Sequence, residues 1–167
     1  GDKLYYYCSE HSGMLLGEIL VVDDECLPCG IGFFKPDLGN ISCTVCPLNS
    51  STAIDNAVEL SQCLCNPGFF RINGECQECE SGKFKPELSD AACTDCTPNS
   101  DSPANSILST DCICNLGYIG PDGGPCTACV PGKYRSGTDT SICEDCEPGK
   151  YNVLDAATSV DACLQCP

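Results

Sequence analysis

The only dense apolar stretch of the chain lies in residues 1–25, where Met14-Leu15-Leu16 and Ile19 to Val22 are split by Gly17. With its β-branched residues it predicts a short hairpin. Tyr5-Tyr6-Tyr7 just before it reads as strand or packing surface, with an aromatic ligand-binding patch as the alternative. From residue 26 onward the apolar pattern is punctuated. Phe33, Phe34, Phe69, Phe70, Phe84, Tyr118, Tyr134 and Tyr151 all fall four or five residues after a cysteine. Each follows closely on one of Gly32, Gly68, Gly82, Gly117, Gly132 and Gly149. The pattern predicts a small turn unit: glycine supplies a positive φ, and the next two residues return as strand. One ring is expected to lie over a disulfide as a miniature core. Helical spacing is weak, with no more than a turn expected in Ala53 to Leu60 and in Ala156 to Ala162.

Cysteine sets the period. Nineteen cysteines occur in 167 residues, in a repeat of about fifty residues that opens at Cys26, Cys76 and Cys126. In each repeat CxxC is followed by thirteen residues and a second CxxC: CLPC to CTVC, CQEC to CTDC, CTAC to CEDC. Fifteen or sixteen residues later come Cys63 and Cys65, Cys112 and Cys114, or Cys163 and Cys166. Such a density signals a disulfide scaffold in an oxidising compartment. A fifty-residue module with no Trp and few Phe buries too little apolar area to stand alone, and cross-links make up the deficit. The expected fold class is therefore small disulfide-rich modules with short β-hairpins and loops, little helix, and an elongated semi-rigid rod. Residues 1–25 read as the tail of a preceding module, and 26–75, 76–125 and 126–167 as three repeats. The third breaks off at Cys166-Pro167 before its closing cysteine, so the chain is expected to continue in a larger protein, with Cys166 paired outside these residues.

A net charge of −16 argues against nucleic acid and against an anionic membrane surface, and suits a secreted chain that meets cations or basic partners. No apolar run approaches the length of a membrane span, and Gly1-Asp2-Lys3 does not open a secretion leader.

Candidate chemistry is sparse. CxxC, thirteen residues, CxxC is an acceptable four-thiolate zinc spacing, but the third cysteine pair of every repeat fits one zinc poorly. Seven CxxC motifs do not make a redox enzyme without a helix N-terminus in a βαβ context. His11 is the single histidine and supports no catalytic set, so no enzyme and no catalytic residue is expected. Asp23, Asp24 and Glu25 before Cys26 are weak calcium candidates; otherwise no cofactor is implied. Asn40 and Asn49 stand in N-glycosylation sequons, in polar loops of a chain read as secreted.

The run CLPCGIGFFKPDLGNISCTVCPLNSSTAIDNAVELSQCLCNPGFFRINGEC resembles the epidermal-growth-factor-like half of the cysteine-rich region of Eph receptors, with CxxC, GFFK, CxxCP and CxCxxGFFR in that order. The likeness covers residues 26–126 well and 126–166 in part. In the third repeat CLQC replaces CxC, which is similar to the short CxxCxPGxY units of large surface proteins, and CVPGKYRSGTDTSIC resembles a tumour necrosis factor receptor repeat. Growth-factor-like wiring would imply Cys29–Cys46, Cys43–Cys63 and Cys65–Cys76, then Cys79–Cys96, Cys93–Cys112 and Cys114–Cys126, then Cys129–Cys146 and Cys143–Cys163, with Cys8–Cys26 closing the N-terminal segment. The rival is neighbour pairing, Cys29–Cys43, Cys46–Cys63 and their equivalents. Both schemes share Cys8–Cys26, Cys65–Cys76 and Cys114–Cys126.

The expected function is a non-enzymatic scaffold, spacer or adhesion segment of a larger cell-surface, matrix or filament glycoprotein such as a flagellar hair. It would act outside the cell, with other extracellular proteins or copies of itself as partners. A ligand-binding receptor ectodomain is the alternative, and a reduced multi-zinc protein stands behind both.

Overall fold

A computed structural model of the chain describes residues 6–7, 27–36, 42–138 and 142–167. Among them run eighteen short strands, hydrogen-bonded in nine two-stranded sheets, each formed by strands consecutive along the chain. Tyr6–Tyr7 (β1) pairs with Leu27–Pro28 (β2), Phe33–Phe34 (β3) with Thr44–Val45 (β4), and Ser50–Thr52 (β5) with Cys63–Cys65 (β6). Phe69–Ile72 (β7) pairs with Glu75–Glu78 (β8). Then follow Lys83–Phe84 (β9) with Thr94–Asp95 (β10), Ser100–Asp101 (β11) with Ile113–Cys114 (β12), and Tyr118–Ile119 (β13) with Thr127–Ala128 (β14). Lys133–Tyr134 (β15) with Glu144–Asp145 (β16), and Lys150–Tyr151 (β17) with Leu164–Gln165 (β18), complete the set.

The strand that sequence placed after each turn glycine is present: β3, β9, β15 and β17 follow Gly32, Gly82, Gly132 and Gly149, all at positive φ. The only helical elements among the described residues are three 3₁₀ turns, Leu60–Gln62, Ser109–Asp111 and Val160–Ala162. Side chains cap them. The amides of Val58 and Glu59 donate to Gln62 Oε1, those of Ile107 and Leu108 to Asp111 Oδ2, and that of Asp161 to Ser159 Oγ. The apolar hairpin expected over Met14 to Val22 lies outside the described residues.

The chain divides into two compact units. The first holds Gly1–Asn66, Phe70–Gln77 and Leu88–Ala91; the second holds Pro67–Phe69, Glu78–Glu87 and Ala92–Pro167. Their interiors are made of sulfur. Cys29, Cys46, Cys63 and Cys65 are buried in the first unit, and Cys79, Cys112, Cys114, Cys129 and Cys163 in the second. Alanine at 57 and 157 joins them, but no larger aliphatic and no aromatic residue is fully buried among the described residues. No ring is fully buried: Phe33 and Tyr151 are exposed and the other six rings are half-buried. A two-stranded sheet has no second layer packed on it, so a ring has nothing on its outer side to close it off.

The bridges run consecutively: Cys29–Cys43, Cys46–Cys63 and Cys65–Cys76, then Cys79–Cys93, Cys96–Cys112 and Cys114–Cys126, then Cys129–Cys143 and Cys146–Cys163. The growth-factor-like pairs Cys29–Cys46, Cys43–Cys63, Cys79–Cys96, Cys93–Cys112, Cys129–Cys146 and Cys143–Cys163 are therefore corrected in favour of neighbour pairing. The physical reason is the hairpin. Cys43 and Cys46 bracket β4 three residues apart, and side chains alternate faces along a strand, so the two sulfurs leave in opposite senses. Cys43 meets Cys29 across the mouth of β3–β4, and Cys46, at the entry to β5, meets Cys63 returning on β6, with Cα–Cα distances of 5.8 and 5.6 Å. Each bridge closes its own hairpin, and none crosses another. The proposed Cys8–Cys26 bridge lies outside the described residues.

A non-reducing digest analysed by mass spectrometry, with fragmentation between Cys43 and Cys46, is expected to join Cys29 to Cys43 and Cys46 to Cys63, and likewise in the later repeats. Recovery of Cys29–Cys46 as the main species would restore the crossed wiring.

Candidate functional site

One side chain per repeat contradicts the ordinary rule of burial. Lys35, Lys85 and Arg135 stand at the same place, six residues after Cys29, Cys79 and Cys129, and are only 2%, 3% and 3% exposed. They are three of the eight basic residues in the chain. Lysine and arginine are almost never fully buried without partners. The backbone explains how they arrive there. Phe34, Phe84 and Tyr134 form isolated parallel bridges to Ala57, Ser106 and Ala157. The amides of Lys35, Lys85 and Arg135 then donate to those same three carbonyls at 2.9, 3.1 and 3.0 Å. The cationic side chain is drawn in by the pinned backbone.

In the second unit the partners are backbone oxygens. Arg135 Nη1 donates to Cys114 O at 2.9 Å, to Asn115 O at 3.2 Å and to Tyr118 O, while Nη2 donates to Thr138 O at 2.9 Å. Lys85 Nζ donates to Glu87 O at 2.8 Å. The planar fork of arginine thus gathers the carbonyls at the Cys114–Tyr118 turn onto the start of the next repeat. The same place carries a tight backbone lock. Gly117 N–H donates to Arg135 O at 3.0 Å, and Cys129 N–H donates to Gly117 O at 2.8 Å. Gly117 has φ +81°, and a Cβ there would stand 2.2 Å from Ala156 O. Only glycine fits this close approach of three chain segments.

A second buried polar position braces the two hairpins of a repeat. Thr52 Oγ1 accepts from Gly32 N–H at 3.0 Å. At the equivalent places Ser102 Oγ donates to Lys83 O at 3.0 Å, and Asn152 Nδ2 donates to Lys133 O at 3.1 Å. In the first unit Asp90 plays a related part: it accepts from Cys65 N–H at 3.0 Å and from Arg71 Nε at 2.7 Å. Asp90 lies close to the sulfurs of Cys65 and Cys76, but these are bonded to each other and are not thiolate ligands. The same holds for the zinc alternative, since the cysteines of each proposed four-thiolate set, Cys26 apart, are described and each is joined to another cysteine.

The remaining sequence candidates fall as follows. Asn49 is half-buried at φ +59°, and its carbonyl accepts from Asn66 N–H; Asn99 and Gly149 fill the same turn place in the other repeats. Asn40, Asp23, Asp24, Glu25, His11 and Cys8 lie outside the described residues. Cys166 is free and exposed. Register explains its exposure. Cys65 pairs across from Ser50 and Cys114 from Ser100, but Lys150 faces Gln165. The extra residue in CLQC carries the thiol one step past the buried position. An open groove of about 420 Å³ in the second unit is lined by Asp101, Ser102, Asn115, Leu116 and Thr138 among others, with no histidine or free thiol.

The buried cations were missed at sequence level, although the signal was there: a basic residue recurring every fifty positions in a strongly acidic chain. Arg135→Met is expected to lower stability by about 2–4 kcal/mol, because it leaves buried carbonyls without donors. Arg135→Lys, the residue type of the other two repeats, should recover most of it, as read by thermal unfolding and by amide exchange at Gly117 and Cys129. At the surface, Lys150 Nζ bonds Glu147 Oε2 at 2.8 Å, and this hydrogen bond, with the ammonium charge behind it, holds the Glu147 carboxyl below its ordinary pKa. Its small contribution is present above the ordinary carboxylate pKa and fades as pH falls through the lowered value. Lys150→Gln should raise the Glu147 midpoint in a carboxyl-carbon NMR titration.

Residues 21–63 match the family described as "Tyrosine-protein kinase ephrin type A/B receptor-like". A stretch of 46 residues, 28% of this chain, is 44% identical to ephrin type-B receptor 4 of Mus musculus and covers 4% of that protein. Another of 43 residues, 26% of this chain, is 42% identical to cysteine repeat modular protein A of Toxoplasma gondii and covers 1% of it. The chain therefore matches only a small part of each relative. Together with the consecutive disulfides, these likenesses support a cysteine-rich repeat module that is similar to the ephrin-receptor-like family over residues 21–63.

Proposed function

We propose that the chain is a non-enzymatic scaffold or adhesion segment of a larger cell-surface, matrix or filament glycoprotein. Three modules, opening at Cys26, Cys76 and Cys126, form it. The observation that carries this reading is the interior. Every described repeat buries half-cystines and one cation, bonded to backbone carbonyls at Lys85 and Arg135, with no cavity lined for catalysis among the described residues, so the residues that recur serve to hold shape. What differs between repeats is the outer surface, where Val45, Asp95 and Asp145 occupy one equivalent position. A scaffold that keeps its frame and varies its face suits contact with other extracellular proteins or with copies of itself. Glycans at Asn40 and Asn49 would be carried by the first repeat.

The test is adhesion of beads coated with the oxidised chain to cell-surface or matrix preparations, against beads coated with reduced and alkylated chain. Retention of the oxidised form alone is expected. Equal behaviour of the two would contradict the reading, and stoichiometric capture of one soluble ligand without retention would turn it towards a receptor ectodomain.

A further inference from the structure

One cross-strand position of the first repeat departs from a pattern that the other two keep. In β9–β10 Lys83 stands opposite Asp95, with Nζ 3.5 Å from Oδ1. In β15–β16 Lys133 stands opposite Asp145, again as an ion pair. In β3–β4 the facing residues are Phe33 and Val45, which are 41% and 65% exposed. The flanking turns change with them. Ile31, 62% exposed, stands where the other repeats have Ser81 and Pro131. Leu48, 84% exposed, stands where they have Pro98 and Pro148. The bond from Cys46 N–H to Gly32 O, at 2.8 Å, ties the two turns together at one end of the hairpin. The first repeat thus replaces a solvated ion pair by four exposed apolar side chains on the same small hairpin. Scattered apolar residues on a surface need no account, but a group gathered at one hairpin end does.

We propose that this hairpin end is a docking surface for a second copy of the chain, the two β3–β4 hairpins meeting about a two-fold axis with Phe33 of each packed against Val45 of the other. The inference deepens the scaffold reading and rests on it. Charge selects the occupant. Residues 26–75 carry Lys35 and Arg71 against Asp37, Asp55, Glu59 and Glu75, whereas residues 76–125 carry two basic and eight acidic side chains. A contact between two first repeats brings together a part of the chain that carries little of its −16 charge. A basic partner, by contrast, would be drawn to residues 76–125. A two-fold contact needs only one self-complementary patch per copy, and it closes after two.

Sedimentation of the chain, with Cys166 alkylated to prevent disulfide dimers, tests this. The average mass is expected to rise with concentration towards that of a dimer. Association should strengthen between about 0.05 and 0.5 M salt, because salt screens the repulsion of like charges and does not weaken an apolar contact. The double variant Phe33→Lys with Val45→Asp writes in the ion pair of the other repeats and should weaken association about tenfold or more. Ile31→Ser with Leu48→Pro, likewise residues found at these places in the second repeat, should weaken it in the same direction. The eight bridges, mapped without reduction, verify that each variant is folded. A chain that stays monomeric at every concentration, or folded variants that associate like the parent, would overturn the proposal. Retention of the coated beads in that case would leave the scaffold reading standing.

Discussion

The disulfide that closes each hairpin is the constraint on which the rest depends. Strands of two residues in isolated two-stranded sheets are not stable in water. Here eight of the nine described sheets are held by a bridge, and these span 11 to 17 residues, as in Cys65–Cys76 and Cys46–Cys63. Loops of this size bring about 3 kcal/mol apiece in the chain-entropy picture, most of it by restricting the unfolded chain. Because each bridge is local, pairing stays local too, and every described sheet joins neighbours along the chain.

An interior of sulfur has a consequence for polar groups. A two-stranded hairpin leaves many carbonyls unpaired, and the half-cystines bring them close together away from water. Lys35, Lys85 and Arg135 occupy that space. In Arg135 the four bonds to Cys114, Asn115, Tyr118 and Thr138 show what the cation does: it supplies the donors that a larger sheet would have supplied from its own backbone. The aromatic rings, freed from core duty, lie half-exposed on the outside.

The division of labour follows. The frame recurs in every repeat: half-cystine, turn glycine, buried cation, and the small polar brace of Thr52, Ser102 or Asn152. The face is free to vary, from Phe33 and Val45 in the first repeat to the ion pairs of the second and third. A repeat protein built in this way can change what it contacts without changing how it folds.

The sequence by itself determined the period, the oxidised state, the turn glycines and the two-residue strands behind them, because each follows from spacing and from the backbone demands of single residues. It also determined that Cys65 meets Cys76 and Cys114 meets Cys126, since both available wirings agreed there. Only the tertiary structure decided between Cys43 and Cys46 as the partner of Cys29, because cysteine spacing is the same in either case and the choice turns on which face of β4 each sulfur leaves. Only the structure, likewise, placed three cations inside and left all eight rings at least partly exposed. Hydrophobicity predicts burial where a second layer exists to cover a side chain; in a module one hairpin thick, the need to satisfy convergent carbonyls outweighs it.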